Sequence, residues 1–175
     1  MKTRRLIYLS LLVSFGIVLH IVEAFIPLPI YIPGAKLGLA NIITLLVLVL
    51  YGFKDGLIVS ILRCLISALI TGSVSSLIYS LSGAVLSLFM MSFVFFYMNK
   101  TFSLVGISII GAQAHILAQI IAASIILRNS GIFLYLPFLM MISLFTGYFV
   151  GLVSNLTYGI LSKNLKLIEV KKSYS

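Results

Sequence analysis

Six long apolar runs, separated by short polar or turn-forming breaks, constrain this chain more than any other feature. A helix needs about 20 mostly apolar residues, with a range of roughly 17–25, to cross a bilayer. Within lipid, only helices and closed barrels satisfy their own backbone polar groups. The first run covers residues 6–26 and stops at Pro27 and Pro29, which break helices. The second covers 37–53 and ends at Lys54-Asp55-Gly56, and the third covers 57–71 and fades at Thr71-Gly72-Ser73. The fourth covers 77–98 and stops at Asn99-Lys100, and the fifth covers 102–127 and stops at Arg128-Asn129-Ser130-Gly131. The last covers 132–161, is long for one span and contains Pro137, so it is expected to kink or to begin as a surface segment. The expected fold class is all-α: a polytopic membrane helix bundle of about six transmembrane helices, with residues 1–175 forming a single integral membrane domain.

Composition points the same way. Apolar residues make up 62% of the chain, charged residues only 9%, and the mean hydropathy is +1.26. A soluble domain usually carries about 25% charged residues. The net charge of +9 could suggest nucleic acid, but the basic residues sit in short clusters between apolar runs, without interleaved aromatics on which bases could stack. Their arrangement instead sets orientation. With six spans, Lys2, Arg4, Arg5, Lys54, Lys100, Lys163, Lys166, Lys171 and Lys172 fall on one side, and Lys36 and Arg128 on the other. Positive charge stays in the cytoplasm during insertion, which places both termini of a multi-pass cell-membrane protein in the cytoplasm. The basic start resembles a signal peptide, but the apolar stretch is too long and no small-x-small cleavage site follows, so an uncleaved first helix is expected. Cys64 stands alone in an apolar run, which excludes a disulfide within the chain.

Polar groups inside lipid are costly and are functional candidates by default. His20 and Glu23 lie three positions apart on one face of the first run, in its outer half. Lys36 sits just before the second run, and Asn41 about one turn inside it. On the fifth, His115 lies near mid-membrane, with Gln119 one turn further out on the same face. Gly111, Ala112, Ala118 and Ala122 roughly share that face and permit close approach, whereas Gln113 points elsewhere. Convergence at one depth from different helices is what a pocket open to the outside needs, and Lys36, Asn41 and the imidazoles suit a ligand with an anionic or hydrogen-bonding head. Arg63 is a deeper member of the set. Plainer readings stand beside this one: Glu23 and Lys36 as interfacial residues, His20 and His115 as interhelical hydrogen-bonding groups, and Arg63 as a side chain that snorkels to the cytoplasmic surface.

Other chemistry is not indicated. No glycine-rich phosphate loop followed by Lys-Ser/Thr occurs, so ATP hydrolysis is not expected. One Asp and two Glu are too few for a metal–carboxylate diphosphate site, and two His with one Cys lack zinc-ligand spacing. No cofactor and no metal site are expected, and an enzyme is not the leading expectation.

Several segments carry a resemblance: Pro33-Gly34-Ala35-Lys36-Leu37-Gly38-Leu39-Ala40-Asn41, Arg63 within its apolar run, Gly72 after it, Tyr79-Ser80-Leu81-Ser82-Gly83-Ala84, and Gly106-Ile107-Ser108 through Gly111-Ala112. Together, over about residues 6–160, they resemble the small bacterial membrane family called heptaprenyl diphosphate synthase component I, or the Gx transporter family. That family is similar to the six-helix S components of energy-coupling-factor transporters. The resemblance implies an S-component-like, substrate-binding membrane subunit for small-molecule uptake, working with a transmembrane coupling protein and its ATPases. The older family label implies a non-catalytic accessory component of heptaprenyl diphosphate synthesis, since catalytic chains of that reaction use aspartate-rich motifs and this chain has only Asp55. S components dock through small residues four apart on the first helix, which here falls to Ser10 and Ser14. One position departs from the family pattern: Ile116 follows His115 where an Asn is expected.

Overall fold

The computed structural model describes residues 2–26, 36–98 and 101–173, and the side chains of these except Lys2, Arg4, Ala24 and those after Lys163. Six α-helices follow one another: α1 (Lys2–Ala24), α2 (Asn41–Tyr51), α3 (Phe53–Thr71), α4 (Val74–Tyr97), α5 (Leu104–Leu127) and α6 (Leu136–Ser173). A 3₁₀ turn, Ser130–Tyr135, leads into α6. Four stretches, Arg5–Glu23, Val74–Tyr97, Leu104–Leu127 and Ser130–Lys163, are long and apolar enough to cross a membrane. Their outer surfaces carry exposed Phe15, Phe93, Ile125, Phe145 and Leu156. Such a surface is stable only against lipid, so the protein is a membrane protein.

The short α2 is the hub of the bundle and touches every other helix. Leu45, Leu46, Val47 and Leu48 are four consecutive residues no more than 2% exposed. Apolar character all round a helix is the mark of one enclosed by protein. At 1.5 Å per residue α2 rises about 16 Å, roughly half the hydrocarbon thickness. The sequence predicts helix from residue 37, but the helix begins at Asn41, and Lys36–Ala40 form an irregular segment and a turn. Gly38 turns the chain there at φ 87°, a conformation that costs other residues dearly. Irregular backbone at this depth survives only when it is buried in protein with its polar groups satisfied. Lys36, Gly38 and Ala40 are indeed buried.

Other boundaries also differ from expectation. Lys54 and Asp55 lie in the first turn of α3 rather than in a loop, because Gly52, at φ 91°, compresses the break between α2 and α3 into one residue. Asp55 there favours the helix N-terminus and pairs with Arg5 of α1. Pro137 does not kink the last helix. It is the second residue of α6, where its missing N–H costs nothing. The helix then runs 38 residues to Ser173, past the expected end at 161.

Helix apposition relies on small residues. α5 packs against α4 and α6, whereas the α1 backbone comes close only to α2 and α3 among the described helices. Gly147 and Gly151, four apart on α6, lie directly on the α5 backbone. A Cβ on Gly147 would stand 2.9 Å from Ile109 Cα, and one on Gly151 2.6 Å from Val105 Cα. This small-xxx-small seam lets the two helices approach at backbone distance.

Candidate functional site

The segment between α1 and α2 organises the polar interior. Its backbone N–H groups have no helical partners, and side chains from two other helices supply them. The Glu23 carboxylate, near the end of α1, accepts from the N–H of Gly38 and, at 3.2 Å, from that of Leu39. Gln119 Oε1, from α5, accepts the Lys36 N–H at 3.2 Å. The Gln119 amide nitrogen lies 3.0 Å from His115 Nε2 and donates to it. The Lys36 ammonium donates to Nε2 of His20 on α1, which requires that nitrogen to be unprotonated. Ser80 Oγ of α4 reaches the same nitrogen at 3.5 Å. His20, Glu23, Lys36, His115 and Gln119 are each between 3 and 6% exposed, so the expected candidates meet in one buried network. Lys36 and Glu23 are buried within the bundle.

Asn41 and Arg63 are buried beside that network without joining it. Both amide atoms of Asn41 lack a partner, and so do Nε and Nη2 of Arg63. The Thr44–Ser60 hydrogen bond at 3.1 Å ties α2 to the antiparallel α3, and about one turn along each helix from it Asn41 and Arg63 lie at the same level. Arg63 is only 2% exposed. It does not snorkel: its stem crosses α1 at Gly16, where an added Cβ would meet Arg63 Cδ at 2.8 Å. His115 sits against two glycines. A Cβ on Gly83 of α4 would stand 2.7 Å from the ring, and one on Gly38 3.3 Å from it. Its Nδ1 faces the Gly83 backbone without reaching hydrogen-bond geometry.

Gly38, Ser80 and Gly83 entered the sequence reading only as parts of family-like segments, not as site residues, and Gly16 not at all. Gly16 carried a signal, since it lies one turn before His20 on the same face of α1. Ser10 and Ser14 stand on the outer surface of α1, where Ser14 Oγ donates back to the Ser10 carbonyl at 3.0 Å. Gln113 points away from the network and donates to the Met140 carbonyl of α6. Pro33 and Gly34, ahead of Lys36 in the family-like segment, fall outside the described residues. Among the described residues, no three His, Cys, Asp or Glu side chains come together as metal ligands. A concavity of about 550 Å³ on the outer face of α6, lined by Met141, Leu144, Phe145, Tyr148 and Phe149, shares no residue with the polar network.

The sequence profile of the family described as heptaprenyl diphosphate synthase component I matches residues 12–157. The chain belongs to that family. No curated protein sequence matches it. A solved structure described as the S component of a bacterial ECF transporter superposes with a TM-score of 0.70, at 22% identity, over 95% of this chain and 99% of that one. The bundle therefore has the S-component fold.

Proposed function

We propose that this family member is the membrane-embedded, substrate-binding subunit of a small-molecule uptake system, and that Lys36, Asn41 and Arg63 present the groups that meet the substrate. His20, Glu23, His115 and Gln119 hold these groups and the irregular segment in place. The observation that carries this reading is the set of unpaired atoms on Asn41 and Arg63, buried at one level beside a hydrogen-bonded network. Buried polar groups without partners are rare, and within a membrane protein they mark sites and pathways. The S-component fold supports the reading, because the solved relative belongs to a transporter. In this view the chain is one domain of a cell-membrane protein with both termini cytoplasmic. It does not catalyse a reaction or bind nucleic acid, and energy comes from a transmembrane coupling protein and its ATPases. The exposed Ser10–Ser14 edge of α1 is the docking surface, on a helix whose backbone lies close only to α2 and α3 among the described helices.

The family name favours a second reading, a non-catalytic membrane partner of heptaprenyl diphosphate synthesis. Copurification from native membranes separates the two. Recovery of a transmembrane protein with ATPases supports uptake. Recovery of a soluble, aspartate-rich synthase in its place overturns it.

A further inference from the structure

The charges around the site do not balance. The chain has three acidic residues, Glu23, Asp55 and Glu169. Asp55 pairs with Arg5 at the far end of α1, and Glu169 belongs to the C-terminal stretch of α6. Glu23 is thus the only carboxylate near the site, and it is turned onto the backbone of Gly38 and Leu39. Against it stand two buried cations, Lys36 and Arg63, and neither has an ion-pair partner among the described residues. The sequence holds no other acidic side chain to supply one. A surplus positive charge in a low-dielectric interior is costly until an anion neutralises it.

The identity of the unpaired atoms narrows the anion. Nε and Nη2 form one edge of the guanidinium, two parallel N–H donors whose spacing matches the two oxygens of a carboxylate or phosphate. Asn41 Nδ2, unpaired at the same level, is a third donor. Resting on the binding-subunit reading above, we propose that the substrate is a small oxyanion whose carboxylate or phosphate group is held bidentately on the Nε/Nη2 edge of Arg63 and supported by the amide of Asn41. The rest of such a ligand lies towards Lys36 and His115.

The test uses full-length protein in detergent, with thermal unfolding followed by circular dichroism. The probes are acetate, inorganic phosphate, acetamide and chloride at equal ionic strength. Acetate or phosphate raises the wild-type midpoint above the chloride and acetamide values. A response to acetate alone assigns a carboxylate ligand, and one to phosphate alone a phosphoryl ligand. Arg63→Lys keeps the charge but loses the fork, and weakens the response roughly ten-fold; Arg63→Gln weakens it by roughly a hundred-fold. Arg63→Gln without any probe unfolds at a higher temperature than the wild type, because an uncompensated buried charge is gone. A purely structural arginine gives the reverse: a lower midpoint and an unchanged response to the probes. That result, or equal stabilisation by acetate and acetamide, overturns the proposal. A neutral molecule retained through purification by both wild type and Arg63→Gln sinks the oxyanion and leaves the binding subunit standing. Retention of no small molecule by wild-type protein removes the binding reading as well.

Discussion

Replacing Glu23 tests how the irregular entry to α2 is held. Its carboxylate is the acceptor for two backbone donors, Gly38 N–H and Leu39 N–H, on a segment that has no helical bonds of its own. Glu23→Ala leaves the buried Gly38 N–H and the part-buried Leu39 N–H without a partner, at up to about 1–3 kcal/mol each, so at most about 2–6 kcal/mol in all. Glu23→Gln retains an acceptor at the same place and loses only the charge assistance, a cost of about 1 kcal/mol. For a chain of this length each kcal/mol moves the unfolding midpoint by roughly 2–4 °C. The expected order of midpoints in detergent is wild type, then Gln, then Ala. Hydrogen exchange localises the effect: the amides of residues 38 and 39 lose protection in Glu23→Ala, while those of α4 and α5 keep theirs. The reasoning is refuted if Glu23→Ala unfolds within 1 °C of the wild type, or if Gln is as damaging as Ala.

Gly151→Leu forces a side chain into the α5 backbone and is expected to cost at least the 1–3 kcal/mol typical of overpacking, read as a lower unfolding midpoint, with the lipid-facing Leu156→Ala as a near-neutral control. Gly83→Val displaces the His115 ring, and with it the Gln119 contact to Lys36, so ligand retention falls more than helix content measured by circular dichroism. In a Cys64→Ala background, cysteines placed at the exposed positions 54 and 128 react with impermeant reagents from opposite sides of the membrane, position 54 from the cytoplasm. Labelling of both from one side overturns the topology.

The six helices were legible because lipid allows so few alternatives: apolar runs bounded by prolines, glycines and charges form helices there, although α2, at 11 residues, is too short to cross alone. The membership of the polar network was legible for the same reason, since His20, Glu23, His115 and Gln119 have no inexpensive place in hydrocarbon. The break before α2 was hidden, because Leu37-Gly38-Leu39-Ala40 is apolar and reads like the helix that follows it. Only the backbone shows that Glu23 and Gln119 serve the segment's N–H groups. Arg63 was ambiguous for another reason: its depth is set by sequence position, but whether its stem runs outward or across Gly16 depends on a neighbouring helix. The Gly147–Gly151 seam is a spacing that occurs often in helices rich in small residues, and only its contact with α5 distinguishes it. The extension of α6 beyond 161 was masked by its lysines, which end an apolar run without ending a helix.

The central claim is that Asn41 and its buried neighbours hold a small molecule. Native mass spectrometry of the protein purified from its own membranes, with wild type and Asn41→Ala side by side, addresses it most directly. The wild type is expected to carry a bound non-lipid mass, with occupancy falling roughly ten- to a hundred-fold in the variant for the loss of one charge-assisted or buried contact. A wild-type spectrum with no such mass, or one in which Asn41→Ala retains it equally, contradicts the account.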